Sequence, residues 1–375
     1  MVAASLVLAL SSGLAAAALP SRRQSTGNST ECTTGSSIAP SGVYYGVGKN
    51  ATDGVPVRLR ISNGGAGLSG LVGALANAFI TYKVDQNKTE GPFAVAWVRG
   101  DTTETIKYLG NGEADVGITY NKAAECQAVS DGVAARRVYG FRDHFYLAGP
   151  PSNPAGLQEF KSGAQNENIL TQFQKIVRTG NNDTLVPPTR FLTRYDKSAT
   201  NIKDSELFIA VGQVPWAYAY SKWYHQYVAY PIDALVSTIH ADTLIPGRLM
   251  VFQIAAAKLG EYTITDRGTW LSTPVNVTSQ LVRYNEGQDD PAQSAAGQPE
   301  GPEDLLLNPA FFLTGTKVCE GNKQLADDFL TWVVSEDGQK VIEDFRGTAS
   351  PTEWLYTRAP TRNDLKIQNC SITGA

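Results

Sequence analysis

The apolar positions of this chain change period several times, and the changes mark its elements. Val57-Arg58-Leu59-Arg60-Ile61 alternates apolar and polar residues, which predicts a half-buried strand. It enters a glycine-rich turn, Ser62-Asn63-Gly64-Gly65-Ala66-Gly67-Leu68-Ser69-Gly70. Beyond it Leu68, Leu71, Val72, Leu75, Ala78 and Phe79 recur at helical spacing. Phe93 to Val98 reads as a second strand. Asp101-Thr102-Thr103-Glu104 has the spacing of a capping box and predicts a helix through Tyr108. Gly112 to Thr119 is a turn into a third strand, followed by a short helix over 123–129. This alternation of strand and helix predicts an α/β fold with a mostly parallel sheet.

The pattern then becomes extended from Val133 to Gly149 and is broken by Pro150-Pro151-Ser152-Asn153-Pro154, where the chain is expected to cross into a second lobe. That lobe is expected to hold a helix over 167–178, a strand over 190–193, a loop over 194–200, further helices, and a strand over 262–265. Residues 285–303 are polar and rich in glycine and proline, and read as a loop. A strand over 305–313 and helices over 323–334 and 336–345 should return to the first lobe. The expected organisation is thus a lobe from 56–145 and 305–360, a lobe from 146–304, a loose linker over 20–55 and a tail over 361–375. Two lobes joined by two crossings imply a cleft between them.

Composition adds an address. Ala3 to Leu19 is an apolar run ending in small residues, too short for a comfortable membrane span, and reads as a cleaved secretory signal over 1–19. No other run of spanning length follows. Six Asn-x-Ser/Thr sequons, at Asn28, Asn50, Asn87, Asn182, Asn276 and Asn369, fit a glycosylated secreted protein. In that oxidising setting the four cysteines suggest two disulfides; of the three possible pairings, Cys126–Cys319 with Cys32–Cys370 is the one expected. The net charge of -4 and the absence of a basic run argue against nucleic-acid binding, and three dispersed histidines against a His/Cys metal site.

The chemistry concentrates in loops. The turn over 62–70 points backbone N–H groups, hydroxyls and a helix start at one spot, which suits an anion. Gly65-x-Gly67-x-x-Gly70 also spells a dinucleotide fingerprint, but the strand over 93–98 continues into Arg99-Gly100 and lacks the acidic residue that would hold a ribose. Ser69 has Leu71 where a nucleophile elbow needs glycine, so it is not read as catalytic. Arg194 with Ser198 and Thr200 supplies charge and directional donors; the same residues also read as an arginine paired with Asp196 beside a helix cap.

Several segments, in order, are similar to one family. They are Gly112-Glu113-Ala114-Asp115-Val116, Asp143 through Pro150, Arg194 through Thr200, Tyr262 through Trp270, Leu307-Asn308-Pro309 and Phe329 through Lys340. Together they resemble the tungstate-binding, extracytoplasmic solute-binding proteins of ABC transporters, which have the type II periplasmic-binding-protein fold. The resemblance implies two α/β lobes closing on a tetrahedral oxyanion. It implies anion contacts from Ser62, Asn63, Gly64 and Ser69, charge from Arg194, and donors from Ser198 and Thr200. The family's run of threonines stands here as Ser62-Asn63-Gly64, and its Gly-Met-Gly helix start reads Gly247-Arg248-Leu249, so Gly247 and Arg248 join the expected site.

The expectation is therefore a secreted, monomeric binding protein for a small oxyanion such as tungstate or molybdate. It should have no cofactor, no metal, no catalysis and no membrane span, and a secreted chain gives little reason to expect a permease partner. Two other readings stay open: an interaction module that kept the fold and lost the ligand, and an enzyme acting on a nucleotide or phosphate ester.

Overall fold

Strands β1 (Gly42–Tyr44) and β2 (Val57–Asn63) open the fold in the computed structural model. The structure describes residues 37–51, 54–217, 220–226, 256–289, 304–347, 350–360 and 370. β1 lies inside the stretch expected to be a linker and pairs antiparallel with β3 (Ala94–Arg99), placing Val43 opposite Ala96. Its three residues are too short to leave a period in the sequence. β2 is paired in parallel with β3 on one side and with β4 (Val116–Thr119) on the other.

The connections are helical for the reasons their sequences carry. The glycine turn becomes a single turn, α1 (Gly65–Leu68), then α2 (Leu71–Thr81), whose Leu71, Val72, Leu75, Ala76, Phe79 and Ile80 are buried. Gly70 sits between them at φ +96°, a left-handed conformation that glycine adopts without steric cost. α3 (Thr102–Asn111) starts at a formed capping box: the Asp101 carboxylate accepts from the Glu104 N–H at 2.8 Å, and the Asp101 N–H donates to Glu104 Oε2 at 3.2 Å. α4 (Lys122–Ser130) is capped by Asn121.

β5 (Ala134–Gly149) is a sixteen-residue strand that serves both cores. Its first half joins the sheet of β2 to β4. Its second half leads into another apolar cluster built from Phe145, Leu147, Phe173, Phe191, Phe208, Tyr262 and Tyr284. That second part contains α5 (Ile169–Gly180), β6 (Phe191–Thr193), α6 (Ala199–Ala210), β7 (Tyr224–Gln226), β8 (Thr263–Asp266), α7 (Arg267–Ser272) and β9 (Val282–Glu286). β8 and β9 pair with Phe145 to Gly149 on opposite edges of β5. β9 occupies the start of the segment read as a loop, because its Asn285 and Glu286 are polar yet laddered to Leu147 and Tyr146.

β10 (Leu307–Gly315) returns the chain and runs antiparallel between β4 and β5. The sheet order β1-β3-β2-β4-β10-β5 is therefore mixed, whereas the sequence pattern suggested a mostly parallel one. The parallel part is β3-β2-β4, where helices make the connections; β5 and β10 are antiparallel because both carry the chain between the two parts. α8 (Glu320–Val333) and α9 (Glu336–Asp344) then pack on the first core, with Phe329 edge-on to Phe79 at 5.1 Å. β11 (Thr357–Arg358) adds a last rung to β5.

The cysteines correct the expected pairing. Cys126 on α4 is bonded to Cys370, not to Cys319. Cys319 is itself disulfide-bonded, and Cys32 lies outside the described residues. Spacing could not separate the pairings, because the choice depends on where the end of the chain meets the first core. Asn50, Asn87, Asn182 and Asn276 are exposed, as a glycan requires; Asn28 and Asn369 lie outside the described residues, as does the expected signal segment. Among the described residues no helix is long and apolar enough to cross a membrane.

The Cys126–Cys370 bond spans 244 residues and so removes much chain entropy from the unfolded state. Replacing both cysteines by serine is expected to lower unfolding free energy by about 3–5 kcal/mol, read as a drop in the denaturation midpoint.

Candidate functional site

A cavity of about 110 Å³ lies where residues from both parts of the fold meet. One wall is Asn63, Gly64 and Gly65 at the end of β2, with Arg99 to Thr102 at the end of β3. The facing wall is Arg194, Asp196 and Ser198 to Thr200. Tyr120, Asp143, Asp266 and Asn308 close the floor. The volume is well below the roughly 300–1,000 Å³ of pockets that take drug-sized ligands, and suits a ligand of a few heavy atoms.

Helix starts converge on this space. α1 begins at Gly65, α3 at Thr102, α6 at Ala199 and α7 beside Asp266, and each of these positions borders the cavity or adjoins a residue that does. The first N–H groups of a helix have no partner within it, so the starts of α3 and α6 and the short turns α1 and α7 bring unpaired backbone donors to the edge of this space without many cationic side chains.

On the first wall Asn63 organises the turn. Its Nδ2 donates to the Ile118 carbonyl at 2.9 Å and to the Tyr120 hydroxyl at 3.4 Å, its Oδ1 accepts from the Gly67 N–H at 2.9 Å, and its carbonyl accepts from Trp97 Nε1 at 2.9 Å. The dinucleotide-like spacing has a packing cause. A Cβ on Gly67 would lie 2.1 Å from the Trp97 indole, and Gly70 supplies the left-handed turn. The cavity's volume of about 110 Å³ is far below what encloses a nucleotide.

On the second wall the sequence's two readings of Arg194 hold together. Arg194 lines the cavity and pairs with Asp196 at 2.5 Å. Asp196 also accepts from the Ser198 N–H at 2.9 Å and from its hydroxyl at 2.5 Å, while Ser198 Oγ caps α6 through the Asn201 N–H. The loop is held from below: Thr193 donates to the buried Asp204 at 2.6 Å, and Asn201 Nδ2 donates to both. Burial pushes the Asp204 carboxyl up to about 7.

Of the residues expected from the sequence, Asn63, Gly64, Arg194, Ser198 and Thr200 border the cavity. Ser62 and Ser69 do not. Ser62 shares a hydrogen bond of 2.9 Å with Thr105 beneath α3, and Ser69 bonds the Ala66 carbonyl and the Tyr356 hydroxyl. Gly247 and Arg248 lie outside the described residues. Sequence reasoning passed over Arg99, Asp101, Thr102, Tyr120, Asp143, Asp266 and Asn308. Asp143, Asp266 and Asn308 sit in segments that carried the family resemblance, which was the available signal.

The lining is rich in carboxylates, and most have a structural partner. Asp101 caps α3, Asp196 holds Arg194 and Ser198, and Asp266 caps α7 by accepting from the Thr269 N–H at 2.7 Å and its hydroxyl at 2.6 Å. Asp143 is buried deepest. It accepts from the His144 N–H at 2.7 Å and from Asn308 Nδ2 at 3.3 Å, and burial, followed by the charge of Asp266, raises its carboxyl well above the usual range. Burial also raises Tyr120 far above the ordinary phenol range. Among the described residues no group of His, Cys, Asp and Glu could hold a metal ion.

Arg267, in the segment most similar to the family, does not line the cavity. Its Nε donates to the Trp354 carbonyl at 2.8 Å, and its guanidinium lies 3.6 Å above the Trp354 ring. It fixes the chain behind the site.

Comparison with known proteins agrees with this architecture. Residues 28–337 match the family profile described as a PBP superfamily domain. The crystal structure of a periplasmic protein, provisionally described as metal-binding, is similar at 45% identity with a TM-score of 0.67, over 86% of this chain and all of that one. A protein of Haloferax volcanii, provisionally described as an ABC transporter anion-binding protein, is 25% identical over 70% of this chain; the match spans 63% of that protein. The tungstate-binding protein TupA of Campylobacter jejuni is 25% identical over 72% of this chain and 81% of its own length.

Gly67→Ala is expected to lower stability by about 1–3 kcal/mol, since the indole it meets is itself hydrogen-bonded to Asn63. Gly65→Ala, whose Cβ would meet nothing within 4 Å, should stay within about 0.5 kcal/mol. Denaturant titration of the two variants side by side checks this.

Proposed function

The chain belongs to the PBP superfamily, and on that premise we propose that it is a secreted solute-binding protein holding a small tetrahedral oxyanion, of the tungstate or molybdate kind, in the cavity between its lobes. The observation that carries this reading is the juxtaposition of Asn63-Gly64-Gly65 with Arg194 and Thr200 around a space of about 110 Å³. We place the lobes at 56–145 with 305–360, and at 146–304.

In this reading binding rests on donors of three kinds. Backbone N–H groups at the helix starts supply direction, Arg194 supplies charge, and the Thr200 hydroxyl, which has no protein partner among the described residues, supplies a further donor. Arg194 keeps N–H groups to offer, because its contact with Asp196 uses one end of a five-donor fork. Selectivity among anions follows from cavity size and the number of donors that can reach four oxygens at once. The anion-binding and tungstate-binding descriptions of the relatives support the ligand class, and binding rather than turnover is what they describe, so no reaction is proposed. Secretion is supported by the signal-like start and by four sequons that are exposed in the structure.

Calorimetry with tungstate, molybdate, sulfate and phosphate on the deglycosylated protein tests the reading. At least one anion is expected to bind at micromolar affinity or tighter, about -8 kcal/mol or more favourable. Arg194→Ala should weaken it about 10- to 100-fold, because the charge is lost and Asp196 is left facing the ligand alone. Silence with all four anions would instead favour an interaction module that keeps the fold without a ligand.

A further inference from the structure

Among the described residues, Asp143 is the one carboxyl of the cavity lining that is buried and takes no part in capping a helix. Asp101, Asp196 and Asp266 each accept from a backbone N–H at a helix start, and Asp196 also from Arg194. Asp143 sits on β5 instead, 4% exposed, opposite Asn308 in the β5–β10 ladder. Its donors are the N–H of its own neighbour, His144, and an amide at 3.3 Å. Around it stand Asp266 and Arg267 from the β8–α7 junction, Tyr120 from the end of β4, and Tyr356 from the C-terminal segment. Arg194 with Asp196 faces it from the other wall, and His144 beside it turns its Nε2 away to Asp289.

An ionised Asp143, buried in the lining of a cavity of about 110 Å³, would oppose an anion held beside it, because two like charges a few ångströms apart in a site of lowered dielectric repel by a few kcal/mol. A neutral carboxylic acid there has the opposite effect, since it offers an O–H donor. We propose that Asp143 is an anion-binding residue in its neutral form, donating its O–H to one ligand oxygen, so that the complex holds the anion together with a proton. This assignment rests on the anion reading of the cavity. Burial and the charge of Asp266 push the Asp143 carboxyl the same way even before a ligand arrives.

The linkage has a definite sign. Binding needs the protonated form, so affinity is flat below the pKa of Asp143 in the free protein and falls about tenfold per pH unit above it. Over the same window the protein takes up a proton from solvent as the anion binds, rising from zero to one per site. Tungstate and molybdate are the suitable probes, since neither carries a proton of its own near neutral pH.

The test is calorimetry of the intact chain with tungstate and molybdate between about pH 6 and 9, in pairs of buffers that differ in ionisation enthalpy. The expected result is a falling affinity with matching proton uptake. Asp143→Asn, which presents an N–H where the acid presents its O–H, should show neither the slope nor the uptake, and Asp143→Ala should lose about tenfold or more at the low end of the range. A wild-type protein that binds either anion with a flat profile and no uptake, while Asp143→Ala binds as tightly, overturns the assignment and leaves the anion reading intact, as does an Asp143→Asn variant that keeps the wild-type slope. A flat wild-type profile with affinity lost in Asp143→Ala and kept in Asp143→Asn supports it, the carboxyl staying protonated across the range. A protein silent toward both probes at every pH overturns the anion reading, and this assignment with it.

Discussion

The β5–β10 ladder is the interaction on which the rest of the structure depends. It runs from Leu307 opposite His144 to Gly315 opposite Ala134 and joins the parallel strands of the first core to the strand that enters the second. Because β5 continues to Gly149, the two cores share one continuous strand. Leu307 to Gly315 is buried on nearly every position, as a strand covered on both faces must be. The same ladder sets Asp143 beside Asn308, so the floor of the cavity is fixed by sheet register. A slip of β10 by one residue would turn Asn308 to the other face, away from Asp143.

A second constraint follows from the cavity's composition. A site built for an anion would not be expected to gather Asp101, Asp143, Asp196 and Asp266. The conflict is resolved by where their donors come from. At a helix start a carboxylate both satisfies the orphan N–H groups and orients the turn, and its charge is offset by the helix field it caps. The other N–H groups of that turn have no partner within the helix. In the proposed site, carboxylates therefore shape the wall while backbone amides remain for the anion, and Asp143, buried and capping no helix, takes a different role.

The sequence showed the elements better than their relations. β2 and α3 were legible because their signals are local: alternation in Val57 to Ile61, and Asp101 three residues before Glu104. That Asn63 would reach the cavity and Ser62 would not is a matter of strand pleat. Neighbours point to opposite faces, and the period alone does not say which face meets the cleft. Ser69 lies off the cavity lining for a reason no local pattern shows, since its partner Tyr356 is 287 residues away. The antiparallel return of β10 was hidden because an apolar run looks alike in either direction. Tyr120, Asp143 and Asn308 carry no spacing that marks them; strand order alone brings them together.

The bond from Cys126 to Cys370 also changes what damage to the backbone does. It closes a loop that holds β5, the whole second core, β10 and both helices of the return. A single cut anywhere in that loop leaves one covalent molecule in an oxidising medium. The two pieces would stay near one another at high effective concentration and could keep their packing. Clipped and intact chains would then differ little until a reductant separates them. The fold thus tolerates a nick in its loops as a consequence of how its ends are tied.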